Sequence, residues 1–183
     1  MIRRTLSALT LLALVSVHLA AQAAPTVIIV VRHAEKGVTP ANDPPLTEAG
    51  TARAKALAAA LAGTNVQAVI TTQLLRTKDT ARPTAEARGL TTEIVPTTTP
   101  DHPKAVAEAA RKHVGQTVLV VGHSNTVTQI VAALGGPKAV DLCDSEYSNI
   151  YTVILDGASV RVVQSTFGAP SPEAKTGCPA GMK

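Results

Sequence analysis

Two uninterrupted apolar runs constrain the fold of this chain more than any other feature. The first holds five β-branched residues in succession at 27–31, and the second spans 118–121. A strand without a polar face has to be covered on both sides, which is typical of the central strands of a parallel sheet. The first run is followed by Arg32 and His33, and the second by a glycine and His123. We therefore expect two buried strands with a histidine close behind each.

The remaining patterns alternate between helix and strand. Such alternation predicts an α/β fold, a three-layer αβα arrangement with a mostly parallel central sheet of about five to six strands and helices on both faces. The last two strands, joined through Asp156-Gly157, are expected to form a C-terminal hairpin. Helices are predicted from Thr47, as the N-cap, to Gly63, from 73 to 88 with a kink or restart at Pro83, from 104 to 113, and after Asn125 up to Gly135; further strands are predicted at 66–71, 91–95, 150–155 and 159–163.

The first residues have the three-part pattern of a secretory signal peptide. Residues 1–4 are basic, residues 6–19 are mostly apolar, and residues 21–23 form a small-x-small cleavage signal. The alternative is a membrane anchor, but this apolar segment is short against the ~20 residues of a spanning helix. We expect cleavage after Ala23, export to the periplasm or the medium, and a mature chain without a stable membrane span.

The mature chain, residues 24–183, is expected to form a single domain with an irregular tail at 165–183. The formal net charge is +4, and two of the 17 Lys and Arg residues lie in the leader, so the mature protein is only mildly basic. The chain contains one Phe, two Tyr and no Trp. Neither a basic stripe nor aromatic stacking therefore supports a nucleic-acid partner.

The chain contains two cysteines, Cys143 and Cys178. In an oxidising compartment, a pair of this kind usually closes a disulfide. It would tie the C-terminal tail to the loop before the hairpin. Two unrelated free thiols are the alternative, whereas a metal site is disfavoured because the pair lacks CxxC spacing.

Arginines and histidines cluster at one edge of the predicted sheet. His33 and His123 follow the two buried strands, and Arg76 falls on the first turn of the helix after the strand at 66–71. The C-terminal ends of parallel strands share one edge, where open α/β sheets bind ligands. Backbone N–H groups at helix starts favour anions, and arginine forks suit phosphate oxygens. The sequence therefore predicts a phosphoryl-binding site that includes Arg32.

The charges of these residues suggest a reaction. A neutral imidazole at His33 can attack phosphorus and form a phosphohistidine, while Arg32, Arg76 and a protonated His123 stabilise the charge on the phosphoryl oxygens. We expect neither a metal nor another cofactor, because these cations neutralise the phosphoryl charge and the sequence shows no acidic cluster of metal ligands. A zinc site formed by the two histidines and a carboxylate is the alternative, but the arginines would repel a dication.

The same residues resemble a known family. Residues 32–35, Arg-His-Ala-Glu, are similar to the Arg-His-Gly-Glu signature of the histidine phosphatase (phosphoglycerate mutase-like) superfamily. Residues 75–81 resemble its second block, in which an arginine precedes a Thr-Ala pair, and residues 122–124 resemble its third. Residues 43–50 match the usual lead into the first helix. The resemblance covers residues 27–155 and implies the fold of that superfamily.

The resemblance also implies roles for single residues. It makes His33 the nucleophile and assigns Arg32, Arg76 and His123 to phosphate binding and catalysis. Ala34 stands where the family commonly has glycine. No residue matches the general acid of either branch, since the mutase-type insertion is missing and Ser124 stands where the acid-phosphatase branch has Asp.

Two carboxylates are candidates for the proton that a leaving alkoxide needs. Asp101 lies in the loop after the third predicted strand, at the same edge of the sheet, and Glu35 lies close to the nucleophile. Asp101 could instead cap the following helix, and Glu35 could pair with Lys36 or Arg32. Without an acid, phosphoramidates and acyl phosphates, which have good leaving groups, become the better substrates.

These features predict an exported phosphatase that forms a phosphohistidine on His33. Its expected partner is a phosphorylated small molecule or a component of the cell envelope. The alternative is a catalytically weak or inactive phosphate-binding module on the same fold, which the missing acid suggests. A mutase is a weaker hypothesis, because it needs the absent acid and insertion.

Overall fold

The structure is a computed structural model that describes residues 24–171. The predicted signal peptide, its cleavage site after Ala23 and Cys178 lie outside the described residues, so export and the Cys143–Cys178 disulfide stay predictions. The elements are β1 (Thr26–Arg32), α1 (Glu48–Ala60), β2 (Val66–Thr71), α2 (Leu75–Arg88), β3 (Thr92–Ile94), α3 (His102–Arg111), β4 (Thr117–Gly122), α4 (Val127–Ala133), β5 (Asn149–Asp156) and β6 (Ser159–Thr166). Within residues 24–171, no helix is long and apolar enough to cross a membrane.

The described strands form one sheet in the order β3-β2-β4-β1-β5-β6. Neighbouring strands from β3 to β1 pair in parallel, whereas β5 and β6 form an antiparallel hairpin that pairs with β1. The predicted α/β fold with a C-terminal hairpin is therefore confirmed. Arg32 pairs with Gly122 in the register of β1 and β4, so His33 and His123 leave the sheet side by side.

The two faces of the sheet carry separate hydrophobic cores. Ile28 and Val30 of β1 pack with residues of α3 and α4, and Ile29 and Val31 pack with residues of α1 and α2. This alternation explains why the strand has no polar face, because helices cover it on both sides. The prediction of helices on both faces is confirmed.

Local signals account for most helix boundaries to within two or three residues. Thr47 caps α1 as predicted, and its Oγ1 accepts a hydrogen bond of 3.1 Å from the N–H of Gly50. The helix ends at Ala60, before Gly63. Helix α2 does not restart at Pro83 but continues through it, although a proline inside a helix costs roughly 3 kcal/mol.

One difference that bears on the site is the start of α3. This helix begins at His102, two residues before the predicted start at Lys104. Pro103 suits the first turn of a helix, because the N–H that it lacks would have no partner within the helix there. The earlier start places a histidine, rather than a lysine, at the beginning of the helix. The tail also becomes irregular slightly later than predicted, after Thr166.

Candidate active site

The four predicted site residues lie at one edge of the sheet. Arg32 is the last residue of β1, and His33 follows it directly. His123 follows β4, and Arg76 is the second residue of α2. Arg32, His33 and His123 are buried, while Arg76 is partly exposed. The structure thus brings together residues that lie far apart in the sequence.

The ring of His33 is held in one tautomer. Its Nδ1 lies 2.8 Å from the carbonyl oxygen of Ala34, and because a carbonyl can only accept, Nδ1 carries the hydrogen and Nε2 keeps its lone pair. Burial lowers the pKa of His33 well below its ordinary value; the Ala34 bond opposes this shift, and the positive charge of Arg32 adds to it. His33 is therefore neutral near pH 7, with a nucleophilic nitrogen at Nε2.

His123 forms the neighbouring wall. Its ring centroid lies 5.4 Å from that of His33, and its Nε2 lies 3.3 Å from Oγ1 of Thr72. Burial, together with the charges of Arg76, His102 and Arg32, lowers the pKa of His123 to about 3. The protein's own charges thus leave His123 neutral near pH 7. The protonated form expected from the sequence would require the negative charge of a bound anion.

The loop before β5 fixes the orientation of Arg32. Its Nη1 donates to the carbonyl oxygens of Cys143 (2.8 Å) and Glu146 (3.1 Å), and its Nη2 lies 3.5 Å from the carboxylate of Asp144. The guanidinium carbon also lies 4.1 Å from the centre of the Tyr147 ring. Cation–π and carbonyl contacts of this kind hold a guanidinium in place. The remaining donor, Nε, is buried and has no hydrogen-bond partner.

Arg76 is positioned by the start of α2 and by the loop at 37–45. Its Nη1 lies 3.9 Å from Oδ1 of Asp43, and the same carboxylate accepts a hydrogen bond of 2.9 Å from the N–H of Leu75. Asp43 thereby ties the loop to the N-terminus of the helix, where a negative charge is favourable. The Nε of Arg76, like that of Arg32, is buried without a partner.

Neither candidate carboxylate is set up to donate a proton. Glu35 pairs with Arg53 of α1, at 2.7 Å to Nη2, and not with Lys36 or Arg32 as the sequence suggested. Burial acts to raise the pKa of Glu35, but the hydrogen bonds from Arg53 and from its own backbone lower it on balance, so the carboxylate is ionised. Its role is structural, because Arg53 also donates to the carbonyl oxygen of Ala169 at 2.8 Å.

Asp101 occupies the position before α3 and is exposed. Its backbone lies in the left-handed region, with φ of 46°, and its side chain makes no capping hydrogen bond. The suggestion that its side chain caps the helix is therefore wrong. Its side chain also contacts none of the other site residues through a hydrogen bond or ion pair within the described chain, so the structure gives no support to Asp101 as the acid.

The structure adds Thr72, Tyr147 and His102, which sequence reasoning missed. Thr72 is buried and bonds to His123, and the Tyr147 ring centroid lies 6.4 Å from that of His33. His102 is buried and lies close enough to His123 for its electrostatic interaction to lower the pKa of His123. A usable signal for His102 was its place next to Asp101, in the loop at the correct edge of the sheet.

Several buried nitrogens of this group of arginines and histidines have no hydrogen-bond partner, which indicates a site for a ligand. Six buried polar side-chain atoms within residues 24–171 lack a hydrogen-bond partner, and half of them are nitrogens: Nε of Arg32, Nε of Arg76 and Nε2 of His102. All three residues lower the pKa of His123 through electrostatic interaction. An unpartnered buried donor or acceptor costs about 1–3 kcal/mol, a cost that a bound ligand can remove. Two charged guanidinium donors beside a neutral nucleophilic imidazole fit an oxyanion such as a phosphoryl group.

Comparisons with known proteins show a sequence match over part of the chain and a similar fold over most of it. Residues 28–98 match the model of the histidine phosphatase superfamily (branch 1), whereas no curated protein matches the chain. Among solved structures, the protein histidine phosphatase SixA complexed with tungstate is 22% identical with a TM-score of 0.61, covering 76% of this chain and 96% of that one. YhfR from Bacillus stearothermophilus is 20% identical with a TM-score of 0.60, covering 75% and 95%. Phosphoserine phosphatase from Entamoeba histolytica is 14% identical with a TM-score of 0.57, covering 79% and 97%.

The fold and the cluster of histidines and arginines define a hydrolase of the phosphatase class. The match to the histidine phosphatase superfamily model covers residues 28–98 and relates this part of the chain to that superfamily. That match includes Arg32, His33 and Arg76. His123 lies outside the matched residues, and the pairing of β1 with β4 brings it to the site.

Proposed function

We propose that this protein is an exported phosphatase that removes a phosphoryl group from its substrate through a phosphohistidine intermediate on His33. The observation that carries the proposal is the state of His33, a buried neutral imidazole whose Nδ1–H is held by Ala34 and whose Nε2 keeps its lone pair. The substrate is a phosphomonoester or a similar phosphoryl compound, either a small molecule or a component of the cell envelope.

In the first step, Nε2 of His33 attacks phosphorus, a P–N bond forms, and the bond to the leaving group breaks. The Nδ1–H bond to Ala34 supports the positive charge that develops on the ring. The guanidinium groups of Arg32 and Arg76 stabilise the negative charge on the phosphoryl oxygens. His123 gains a proton as the anion binds, because negative charge beside a histidine raises its pKa, and then donates to the same oxygens.

In the second step, water attacks phosphorus, the P–N bond breaks, and His33 is released as the neutral imidazole. The arginines supply the charge stabilisation, so the proposed reaction uses no metal and no other cofactor. Within the described chain, no group of three or more His, Cys, Asp or Glu side chains is placed to hold a metal. The tungstate in the SixA structure, a tetrahedral oxyanion, supports an anion pocket on this fold.

Export is proposed from residues 1–23 alone, on the basic, apolar and small-residue segments of a signal peptide. The disulfide between Cys143 and Cys178 belongs to the same proposal, since it requires an oxidising compartment. Expression of the full chain with mass analysis of the exported fraction tests both. A mature N-terminus at Ala24 and the absence of alkylation without prior reduction are expected.

Hydrolysis of p-nitrophenyl phosphate in the presence of EDTA tests the reaction. Turnover is expected in the wild type and in the control His113→Ala, whose side chain bonds to Gln116 and Glu93 away from the site. His33→Ala is expected to lose turnover and the acid-labile phosphoenzyme. Full activity in His33→Ala would refute the phosphohistidine mechanism.

A phosphate-binding module without turnover is the second candidate. It is favoured by the ionised state of Glu35 and by the exposed, unengaged side chain of Asp101, since neither provides a general acid. Tight binding of inorganic phosphate, lost in Arg76→Met, with no hydrolysis of aryl, acyl or alkyl phosphates would support the module over the enzyme.

A further inference from the structure

His102 is a third buried imidazole at the site, and neither proposed step has used it. It is the first residue of α3 and is 7% exposed. Its Nδ1 lies 3.0 Å from the carbonyl oxygen of Pro96, and since a carbonyl only accepts, Nδ1 carries the hydrogen. Its Nε2 therefore holds a lone pair in the neutral ring, and this atom is buried without a hydrogen-bond partner.

The segment that carries His102 is held firmly against the site. The side chain of Gln73 donates to Oγ1 of Thr97 at 2.9 Å and accepts from the N–H of Thr97 at 3.0 Å. Gln73 directly follows Thr72, whose hydroxyl contacts His123. The Pro96–Thr97 backbone that orients the His102 ring is thereby fixed to the residue beside the site, so the position of Nε2 is set by more than its own helix.

The strand order places His102 across the pocket from the nucleophile. His33 follows β1 and His102 follows β3, with the ends of β4 and β2 between them. His123 and Arg76, which follow these two strands, separate the outer imidazoles. In agreement, His102 is among the residues that lower the pKa of His123, but it is not among those that shift the pKa of His33.

In-line displacement at phosphorus puts the leaving group, and later the attacking water, opposite the nucleophile. The geometry points to His102 as the general base that activates this water in the hydrolysis of phosphorylated His33. This inference rests on the proposed function and assigns the removal of the proton from the attacking water, a step that the proposed mechanism left without a base.

The step balances as follows. Nε2 of His102 removes a proton from water as the water oxygen bonds to phosphorus. The P–N bond breaks, its electron pair returns to Nε2 of His33, and inorganic phosphate is released. Protonated His102 then gives its proton to solvent. Burial lowers the pKa of His102, against the opposing effect of the Pro96 bond, which favours the base form at the start of the step.

Two substitutions separate this role from a structural one. His102→Asn places an amide N–H near the Nδ1 position and can keep the bond to Pro96, but it has nothing at Nε2. His102→Gln reaches the Nε2 position with an amide that cannot take up a proton. Both variants, the wild type, His113→Ala and His33→Ala are mixed with p-nitrophenyl phosphate under rapid quench, and p-nitrophenol and the acid-labile phosphoenzyme are both measured.

The wild type and His113→Ala are expected to turn over, and His33→Ala is expected to form no phosphoenzyme. Both His102 variants should release the first p-nitrophenol at nearly the wild-type rate, because this leaving group needs no acid. They should then accumulate phosphoenzyme, with hydrolysis slowed about 100-fold or more. The solvent deuterium isotope effect on that step should also fall.

Three results would overturn the inference. Hydrolysis of the phosphoenzyme at the wild-type rate in both variants would remove His102 from the reaction while leaving the proposed function intact. An equal loss of the first and second steps in both variants would show that His102 only supports the fold of the site. A wild type that forms no phosphoenzyme would overturn the proposed function, and this inference with it.

Discussion

Replacing Gly50 by alanine should disturb the site through the backbone of Glu35. Gly50 is buried in the first turn of α1. A Cβ at this position would clash with the carbonyl oxygen of Glu35 and would lie only 3.0 Å from its carbonyl carbon and 3.1 Å from its nitrogen. These are backbone atoms, which cannot rotate away as a flexible side chain can. Either α1 or the chain two residues beyond His33 must therefore move.

The expected change in the free energy of unfolding follows from two opposing effects. Alanine in place of glycine favours the helix by up to about 1 kcal/mol, whereas overpacking in a closed space costs about 1–3 kcal/mol or more. The rigid backbone contact puts the cost at the upper end, so Gly50→Ala should be net destabilising by about 1–2 kcal/mol. For a domain of this size, about 2–4 °C is lost per kcal/mol, which gives a fall in Tm of roughly 2–8 °C.

Gly63→Ala is the matched control. Gly63 lies in the exposed turn after α1, and a Cβ there would meet nothing within 4 Å. Thermal unfolding followed by circular dichroism should show a lower Tm for Gly50→Ala and little change for Gly63→Ala. Turnover, measured where both variants are folded, should fall only for Gly50→Ala. A Gly50→Ala protein as stable as the wild type, or an equal loss in both variants, would refute the reasoning.

Three further predictions concern charge and leaving groups. His33 and His123 have lowered pKa values in the folded state, so protons bind preferentially to the unfolded chain. Stability should therefore be at its full value above about pH 6.5 and should fall as the pH decreases toward the folded-state pKa. The expected loss is up to about 1.4 kcal/mol per pH unit for each histidine. Urea titrations between pH 8 and 5 should show this slope reduced in His123→Asn, and an unchanged slope would contradict it. Glu35→Gln leaves the buried guanidinium of Arg53 without its carboxylate partner and should lower stability by several kcal/mol; a Tm within 2 °C of the wild type, as measured by calorimetry, would count against it. Because Glu35 and Asp101 provide no acid, acyl and aryl phosphates should be hydrolysed about 100-fold or more faster than alkyl phosphates, and equal kcat/KM values across such a series would show that an acid operates.

The fold and part of the site could be predicted from the sequence for a simple physical reason. Val30 and Val31 point to opposite faces of β1, and both are fully buried, so an apolar run of this kind has only one stable environment, between two layers of helices. A central strand must then end at the ligand-binding edge of the sheet. Arg32 and His33 were predictable because this local pattern and the parallel arrangement together place them there.

Partners across the fold were not predictable in this way. Glu35 could have paired with Lys36 or Arg32, but the packing of α1 on the sheet brings Arg53 to it. The local pattern also placed the start of α3 two residues late, which hid His102 in a loop. Whether a polar side chain is satisfied or left without a partner depends on contacts between segments that are distant in the sequence, and no periodicity reports them.

By itself, the sequence determined the alternation of strands and helices, the buried central strands, and the arginines and histidines at their ends, because each depends on local pattern and on the general properties of parallel sheets. Only the tertiary structure decided which tautomer His33 adopts, which donors of Arg32 and Arg76 remain unpartnered, and that Nε2 of His102 is buried without a hydrogen-bond partner. These properties depend on the direction of individual side chains and on their exclusion from water. Both arise when distant segments pack together.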